Sequence, residues 1–159
     1  PRYYALVGTI VFVLIVFFSA RCYLQAFFAM RIPPLEEPSG ELPRVSLIVP
    51  SYNEETVLER SLSSMLALDY PADKLEFIYV YESVSTDRTE EIIHEFARRD
   101  PRIKPVRRIT CKGGKAAVTN YGLRFATGEI IAIFDADHAL DSGLVRYAVA
   151  QLQKKSVLF

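Results

Sequence analysis

The pattern of hydrophobic and polar positions divides the chain into three parts, and the first is a long apolar run. No charged residue occurs from Tyr3 to Ala20, and after Arg21 the apolar character continues to Met30. A bilayer-spanning helix needs about 20 apolar residues at a rise of about 1.5 Å per residue, so residues 1–31 are predicted to form a transmembrane helix. A cleaved signal peptide is the alternative. Its apolar core would be only about 7–15 residues long and would precede an A-x-A-like site, which this run lacks.

The second part, residues 32–44, contains four prolines and one glycine. Because proline lacks a backbone N–H and fixes φ, this composition predicts a linker rather than a helix. The linker would connect the apolar run to the third part, residues 45–159, where the pattern changes again.

Short apolar runs alternate with segments of helical periodicity in residues 45–159. The runs that predict strands are Val45–Pro50, Leu75–Tyr81, Ile103–Val106 and Glu129–Phe134. Because strands and helices alternate with short connections, this part is predicted to be an α/β domain with a parallel sheet flanked by helices. The run Glu129–Phe134 is almost continuously apolar, which is typical of a strand buried on both faces.

The helices between these strands are predicted from their starts and their apolar stripes. Their predicted starts are Asn53, Ser85 or Thr86, Gly114 and Asp141. The third helix is predicted to run to about Ala126, with Gly128 as its C-cap. The core-facing residues predicted for the last helix are Leu144, Val145, Ala148 and Leu152.

Composition and charge exclude several classes of protein. The chain of 159 residues is half hydrophobic and a quarter charged with a formal net charge of zero, which argues against disorder and against nucleic-acid binding. Cys22 and Cys111 are too far apart in sequence to suggest a disulfide framework or a zinc site. Most of a basic stretch from Arg98 to Lys115 is predicted to be solvated surface, and some of it would rest on an anionic membrane leaflet. Because the chain starts with Pro1 and ends without an evident stop signal, we expect a fragment of a longer protein rather than a complete small one.

Polar residues follow the first two predicted strands, at the edge where parallel sheets bind ligands. The residues after the first strand include Pro50, Tyr52, Asn53 and Glu54. They suit a base, a ribose or a phosphate at a helix N-terminus, although an ordinary capped helix explains them equally well. After the second strand, Glu82 suits a base or a ribose hydroxyl, whereas Asp87 is predicted to serve the start of the next helix.

A segment with two glycines and two lysines, residues 111–115, precedes the third predicted helix. Glycine lets the backbone approach an anion closely, so Gly114 and Lys115 are candidate phosphate contacts. The spacing is not that of a P-loop, and a flexible basic turn is the equally weighted alternative.

Two carboxylates, Asp135 and Asp137, follow the fourth predicted strand, with Ala136 between them as a further candidate substrate contact. Carboxylates at the end of a buried strand are costly unless a cation meets them, and Mg²⁺ or Mn²⁺ binds such groups together with phosphate oxygens. His138 either orients a carboxylate, contacts phosphate or is a partly exposed loop histidine.

These motifs, in this order, resemble family 2 glycosyltransferases. VSLIVPSYNEE is similar to the family's opening strand and loop, SVSTDRTEEI to its acidic segment, and GGKAAVTNYGLRFATGEIIAIFDADH to its G-K-A-x-A-L-N segment and D-x-D strand. The resemblance covers about residues 45–141. The D-A-D-H form and the preceding apolar helix look most like the membrane-embedded branch, which includes cellulose-synthase-like and poly-N-acetylglucosamine-synthase-like enzymes.

The resemblance implies a Rossmann-like GT-A fold in residues 45–159, a nucleotide-diphosphate-sugar donor, for which we expect a UDP-sugar, and Mg²⁺ or Mn²⁺. Asp137 would then bind the metal, Asp135 the metal or the ribose, and Lys115 the donor phosphates. Glu82 stands where the family has a uridine-binding aspartate, and E-S-V replaces the usual D-D-G, which puts the nucleotide preference in doubt. The family's catalytic base lies well downstream of D-x-D, so it is expected beyond Phe159.

The sequence therefore predicts the donor-binding half of an inverting, metal-dependent glycosyltransferase that acts on a polysaccharide or lipid acceptor. The alternatives are a non-catalytic nucleotide-sugar-binding membrane subunit or an inactive fragment, and, ranked third, a nucleotidyltransferase. Arg21 and Arg31 follow the apolar run and only Arg2 precedes it, so the positive-inside rule favours a single- or multi-pass membrane protein whose soluble domain faces the cytoplasm.

Overall fold

A computed structural model describes residues 2–30, 37–109 and 112–154, which belong to two compact units, residues 1–35 and 36–159. The predicted linker residues 32–36, Arg31 and Cys111 lie outside the described residues. The first unit contains helix α1 (Arg2–Ala29), none of whose residues is buried. Its 28 residues correspond to about 42 Å at 1.5 Å per residue, more than the roughly 30 Å of a bilayer core. By length and composition, α1 is able to cross a membrane.

The second unit is built on a four-stranded sheet. Its strands are β1 (Val45–Ser51), β2 (Leu75–Glu82), β3 (Ile103–Arg108) and β4 (Ile130–Ile133). The strand order is β3-β2-β1-β4, and every pair is parallel. This arrangement confirms the predicted α/β fold, and it brings the carboxyl ends of all four strands to one edge of the sheet.

Helices cover both faces of the sheet. They are α2 (Glu55–Leu66), α3 (Thr89–Arg99), α4 (Gly114–Gly122) and α5 (Leu144–Gln153), with single helical turns at Ala72–Lys74 and Leu123–Phe125. On one face, α2, α3 and α5 contribute residues such as Leu62, Ile93 and Val149 to a core with Leu47 and Phe77 of the sheet. On the other face, Val118 of α4 packs with Ile48, Ile78, Val80 and Val106.

Gly122 brings α4 close to the sheet. A Cβ atom at this position would lie 2.7 Å from the Cγ2 atoms of both Ile48 and Val80. Those methyl groups belong to stiff β-branched side chains that yield little room. The close packing therefore fixes α4 against β1 and β2, and with it the position of the helix N-terminus at the ligand-binding edge.

The described part of the predicted linker, residues 37–44, contains no helix or strand and contacts the sheet unit. The Lys74 Nζ donates to the Leu42 carbonyl oxygen at 2.7 Å, and the Tyr70 hydroxyl donates to the Pro43 carbonyl oxygen at 2.7 Å. These bonds attach the segment to the start of β2 and the end of α2.

The prediction that the last strand is buried on both faces is wrong for the described chain. Strand β4 lies at the edge of the sheet, and Ile131 and Ile133 are 39% and 51% exposed. Helix α4 packs over β1 and β2 on that face and leaves these two side chains uncovered. A short apolar run has the same sequence pattern whether both of its faces are covered or only one.

Several predicted helix ends also differ from the structure. Helix α3 begins at Thr89 rather than at Ser85 or Thr86, because the Asp87 Oδ1 accepts a hydrogen bond from the Thr89 N–H at 3.0 Å. Gly128 is not a left-handed C-cap. Its N–H donates to the Ser46 Oγ at 2.8 Å, and a Cβ there would lie 2.6 Å from the Ser46 nitrogen. Its role is thus a close backbone approach to β1.

Helix α5 buries Val145, as predicted, but the rest of its buried stripe differs from the prediction. Val145, Val149 and Ala150 are buried, whereas Ala148 and Leu152 are exposed. Two neighbouring stripes of this helix are both apolar at i, i+4 spacing, so periodicity alone does not choose between them.

Candidate functional site

The loop that follows β1 is held against the loop that follows β2. Asn53 adopts a left-handed φ of 53° and its Oδ1 accepts a hydrogen bond from the Thr86 N–H at 2.9 Å, so it does not cap α2 as predicted. The amides at the start of α2 instead bind the second loop: the Glu54 N–H donates to the Thr89 Oγ1 at 2.8 Å, and the Glu55 N–H donates to Asp87 at 3.0 Å. These cross-links fix the backbone that carries the candidate contacts.

Asp87 serves these helix starts, as the sequence predicts. Burial disfavours its charged form, but hydrogen bonds from Glu55 and Thr89 outweigh burial and lower the pKa of Asp87. Asp87 is therefore a structural carboxylate rather than a ligand of the cleft described below.

Glu82, at the end of β2, is paired with Arg108 at the end of β3. One guanidinium nitrogen of Arg108 donates to Glu82 Oε1 at 2.5 Å, and the Arg108 side chain is only 7% exposed. Arg108 is thus an exception in the basic stretch, most of which the sequence predicts to be solvated surface. The two residues are register partners on adjacent strands, a relation that only the strand pairing reveals.

The glycine-containing segment turns sharply before α4. Gly113 has φ +96° and Gly114 has φ +58°, and a Cβ at Gly113 would lie 2.6 Å from the Ala117 Cβ. The turn therefore requires glycine at residue 113. It places Lys115 in the first turn of α4, where its ammonium forms an ion pair with Asp135.

The chain leaves β4 through a turn that carries the two predicted metal ligands. The His138 N–H donates to the Asp135 carbonyl oxygen at 3.2 Å, and Ala136 between them is buried in the core. The Asp135 and Asp137 side chains are 42% and 63% exposed. The His138 Nδ1 lies 3.1 Å from the Asp137 Oδ1, so the imidazole is placed to orient that carboxylate.

These loops enclose one cleft of about 420 Å³ at the carboxyl edge of the sheet. Nine of the ten residues predicted as substrate or metal contacts line it. The tenth, Asn53, does not line the cleft but accepts the hydrogen bond from the Thr86 N–H. The nine are Pro50, Tyr52, Glu54, Glu82, Gly114, Lys115, Asp135, Ala136 and Asp137. Ser51 and Val118 also line the cleft. They are buried residues of β1 and α4, and a buried position in a strand or helix does not indicate a ligand contact.

The cleft concentrates negative charge. Burial, reinforced by the nearby carboxylates of Asp137, Asp87 and Asp135, raises the pKa of Glu54 above its ordinary value. Ligand atoms of Asp135, Asp137 and His138 all lie within 4.8 Å of one another. Two carboxylates and an imidazole are a donor set that Mn²⁺ accepts, and the carboxylates suit Mg²⁺. The residues present therefore fit a divalent cation.

In sequence, the chain is similar to known glycosyltransferases. The model of the family described as "Glycosyl transferase family 2" matches residues 46–158. The "Probable glycosyltransferase YdaM" of Bacillus subtilis (strain 168) is 37% identical over 79% of this chain and 30% of its own length. The "Beta-monoglucosyldiacylglycerol synthase" of Nostoc sp. is 35% identical over 77% of this chain and 26% of its own length.

The chain is also similar to a cellulose synthase subunit and to a mannosyltransferase of solved structure. The "Cellulose synthase catalytic subunit [UDP-forming]" of Pseudomonas fluorescens is 32% identical over 85% of this chain and 18% of its own length. The mannosyltransferase PcManGT of Pyrobaculum calidifontis, solved with GDP-Man and Mn²⁺, superimposes with a TM-score of 0.70 at 34% identity, over 87% of this chain and 41% of that one. The chain thus spans less than a third of the curated relatives named here.

Proposed function

The chain belongs to glycosyl transferase family 2, as its motifs predict, and from this premise we propose that its cleft binds the nucleotide-diphosphate-sugar donor of a sugar-transfer reaction. The observation that carries the proposal is that residues chosen from sequence as donor contacts, from the ends of β1, β2 and β4 and from the first turn of α4, line one cleft. Its volume of about 420 Å³ lies within the usual range for small-molecule sites.

The roles follow from the charges of the lining residues. Asp135 and Asp137 hold Mg²⁺ or Mn²⁺, which when bound supplies positive charge to the departing diphosphate. Lys115, at the N-terminus of α4, contacts the phosphates, since its ammonium and the helix dipole both favour an anion there. Glu82 and the residues after β1, including Tyr52, bind the base and ribose. We assign UDP as the preferred nucleotide, which agrees with the UDP-forming relative, whereas the structural neighbour carries GDP-Man.

The Lys115–Asp135 ion pair allows a test in which one substitution should change metal binding and nucleotide binding in opposite directions. In the absence of nucleotide, Lys115 competes with a cation for Asp135. We therefore expect Lys115→Ala to strengthen the binding of Mn²⁺ alone but to weaken the binding of UDP with Mn²⁺ by about 10-fold or more, since a charged phosphate contact is worth roughly 1.5–3 kcal/mol.

Calorimetric titration of the detergent-solubilised chain measures both effects. Lys112→Ala is the matched control, because Lys112 is exposed, lies three residues earlier and does not line the cleft. An identical response of the two variants would contradict the role of Lys115, and a wild-type chain that binds neither UDP nor GDP in the presence of Mn²⁺ would refute the function.

The proposed reaction transfers the sugar to a hydroxyl of a polysaccharide or lipid acceptor with inversion at the anomeric carbon. A carboxylate must take the proton from that hydroxyl as it attacks, and we assign none of the carboxylates of the cleft to this role. We assign donor binding to the cleft, and we expect little or no turnover by these 159 residues alone.

We further propose that α1 anchors the chain in a membrane with the sheet unit on the cytoplasmic side. The support is an uncharged run from Tyr3 to Ala20 within α1, a 28-residue helix none of whose residues is buried. Carbonate extraction of membranes should leave the full chain in the pellet and release a variant without residues 1–35. Release of the full chain would refute the anchor.

A further inference from the structure

The Arg108 guanidinium contacts Glu82, which lines the cleft, and Lys112, in the segment that precedes α4. Arg108 and Glu82 are register partners on β3 and β2, and their side chains therefore lie on the same face of the sheet. One guanidinium nitrogen donates to Glu82 Oε1 at 2.5 Å, and the other donates to the Lys112 carbonyl oxygen at 2.5 Å. A single planar group thus joins a strand end to the segment that precedes α4.

The surroundings of Arg108 make this link rigid. Arg108 is 6% exposed, and its own carbonyl oxygen accepts a hydrogen bond from the Ser83 N–H at 2.9 Å. Its backbone and its side chain are therefore both fixed at the end of β3. Lys112, whose carbonyl oxygen accepts one of these hydrogen bonds, lies one residue before the Gly113–Gly114 turn that presents Lys115 to the cleft.

We propose that Arg108 is a positioning residue for nucleotide binding, which holds the base contact Glu82 and the phosphate contact Lys115 at a fixed separation. The inference rests on the proposed function for the identity of the ligand. Arg108 does not line the cleft. It acts through Glu82 directly and through the Lys112 carbonyl on the glycine turn.

Arginine is required for this task because two nitrogens of its planar guanidinium donate hydrogen bonds at a fixed angle. A lysine at residue 108 would keep the positive charge beside Glu82, but a single ammonium on a flexible stem does not hold both acceptors in one geometry. Arg108→Lys should therefore preserve the charge and lose the tether. We expect it to weaken UDP binding in the presence of Mn²⁺ by about 10-fold, since two contacts with the nucleotide lose their fixed separation.

The chain offers a matched control in Arg102, at the opposite end of β3. Arg102 also joins a carboxylate, that of Asp100, to a carbonyl oxygen, that of Leu66, and its side chain is only 16% exposed. Arg102→Lys should lower the melting temperature to a similar extent and leave UDP affinity within about two-fold of wild type. Equal losses of affinity in both variants would show that Arg108 acts through general stability and would overturn the proposal.

A double-mutant cycle tests whether the effect passes through the turn. In a Lys115→Ala background, Arg108→Lys should cost clearly less than its 10-fold effect on the wild type, because one of the two positioned contacts is already absent. Fully additive effects would contradict the proposed route through Lys112.

Amide hydrogen exchange of the full chain without nucleotide separates this inference from the proposed function. Arg108→Lys should increase exchange at residues 112–116, and Arg102→Lys should not. If the wild type binds neither UDP nor GDP, the proposed function fails while the exchange result still decides whether the tether exists. Unchanged exchange at residues 112–116 in Arg108→Lys would refute the tether.

Discussion

Glu76, near the amino end of β2, allows a quantitative test of how the sheet unit is held together. Its carboxylate accepts hydrogen bonds from the Ser46 hydroxyl, from the Lys104 ammonium at 2.5 Å, and from the Thr127 N–H at 2.7 Å. Burial alone would raise its pKa, but these hydrogen bonds outweigh burial and lower the pKa of Glu76 to about 2, from 4.5. The group thus ties β1, β3 and the turn before β4 to β2.

The magnitude follows from the pKa. Each pKa unit corresponds to about 1.4 kcal/mol, so the ionised Glu76 contributes about 3 kcal/mol to the free energy of unfolding at neutral pH. Because the folded pKa is depressed, this contribution is fully present above about pH 4.5 and is lost as the pH falls towards 2. Glu76→Gln should therefore be about 3 kcal/mol less stable than wild type at pH 7, and the difference should shrink steadily below pH 4.5.

Urea unfolding followed by near-ultraviolet circular dichroism of the buried tyrosines measures this difference at a series of pH values. Glu95→Gln is the control: Glu95 is ion-paired with Arg99 on an exposed helix surface, where such a pair contributes at most about 0.5 kcal/mol. A Glu76→Gln variant within 0.5 kcal/mol of wild type at pH 7, or a difference that stays constant down to pH 3, would refute the reasoning.

Two further substitutions test the backbone of the cleft. Gly113→Ala should cost about 1–3 kcal/mol of stability and weaken UDP binding, because the residue has φ +96° and its Cβ would meet Ala117. Gly40→Ala is the control. Gly40 has φ +75° and lies in open space, so this substitution should cost the backbone strain alone and leave UDP affinity unchanged. Thr89→Val should lower stability by about 1–2 kcal/mol in urea unfolding, since the buried Thr89 hydroxyl accepts the Glu54 N–H; an unchanged midpoint would show that this bond is dispensable.

The sequence predicted the sheet and the cleft well because both depend on local signals. The β-branched runs that begin at Val45 and Leu75 start where the strands start, and the D-A-D motif follows β4 directly. In a parallel α/β sheet, these strand ends meet at one edge without any further information. For that reason nine predicted contacts converge on one cleft.

The errors concern features that depend on what packs around an element. Ile131 and Ile133 are exposed because β4 has a single partner strand in the described chain. An apolar run in the sequence does not show which elements pack against it. Arg108 is buried because β3 pairs in register with β2 and brings Glu82 beside it. A basic stretch read along the sequence does not show that one of its members points inward.

The most direct test of the central claim is a titration of UDP, with and without Mn²⁺, into the wild-type chain and into Asp137→Ala. We expect Mn²⁺ to strengthen UDP binding to the wild type by about 10-fold or more and to have no such effect on Asp137→Ala. Asp73→Ala, an exposed carboxylate outside the cleft, should behave like the wild type. UDP binding that depends on Mn²⁺ equally in wild type and in Asp137→Ala would contradict the claim that this carboxylate holds the metal at the nucleotide diphosphate.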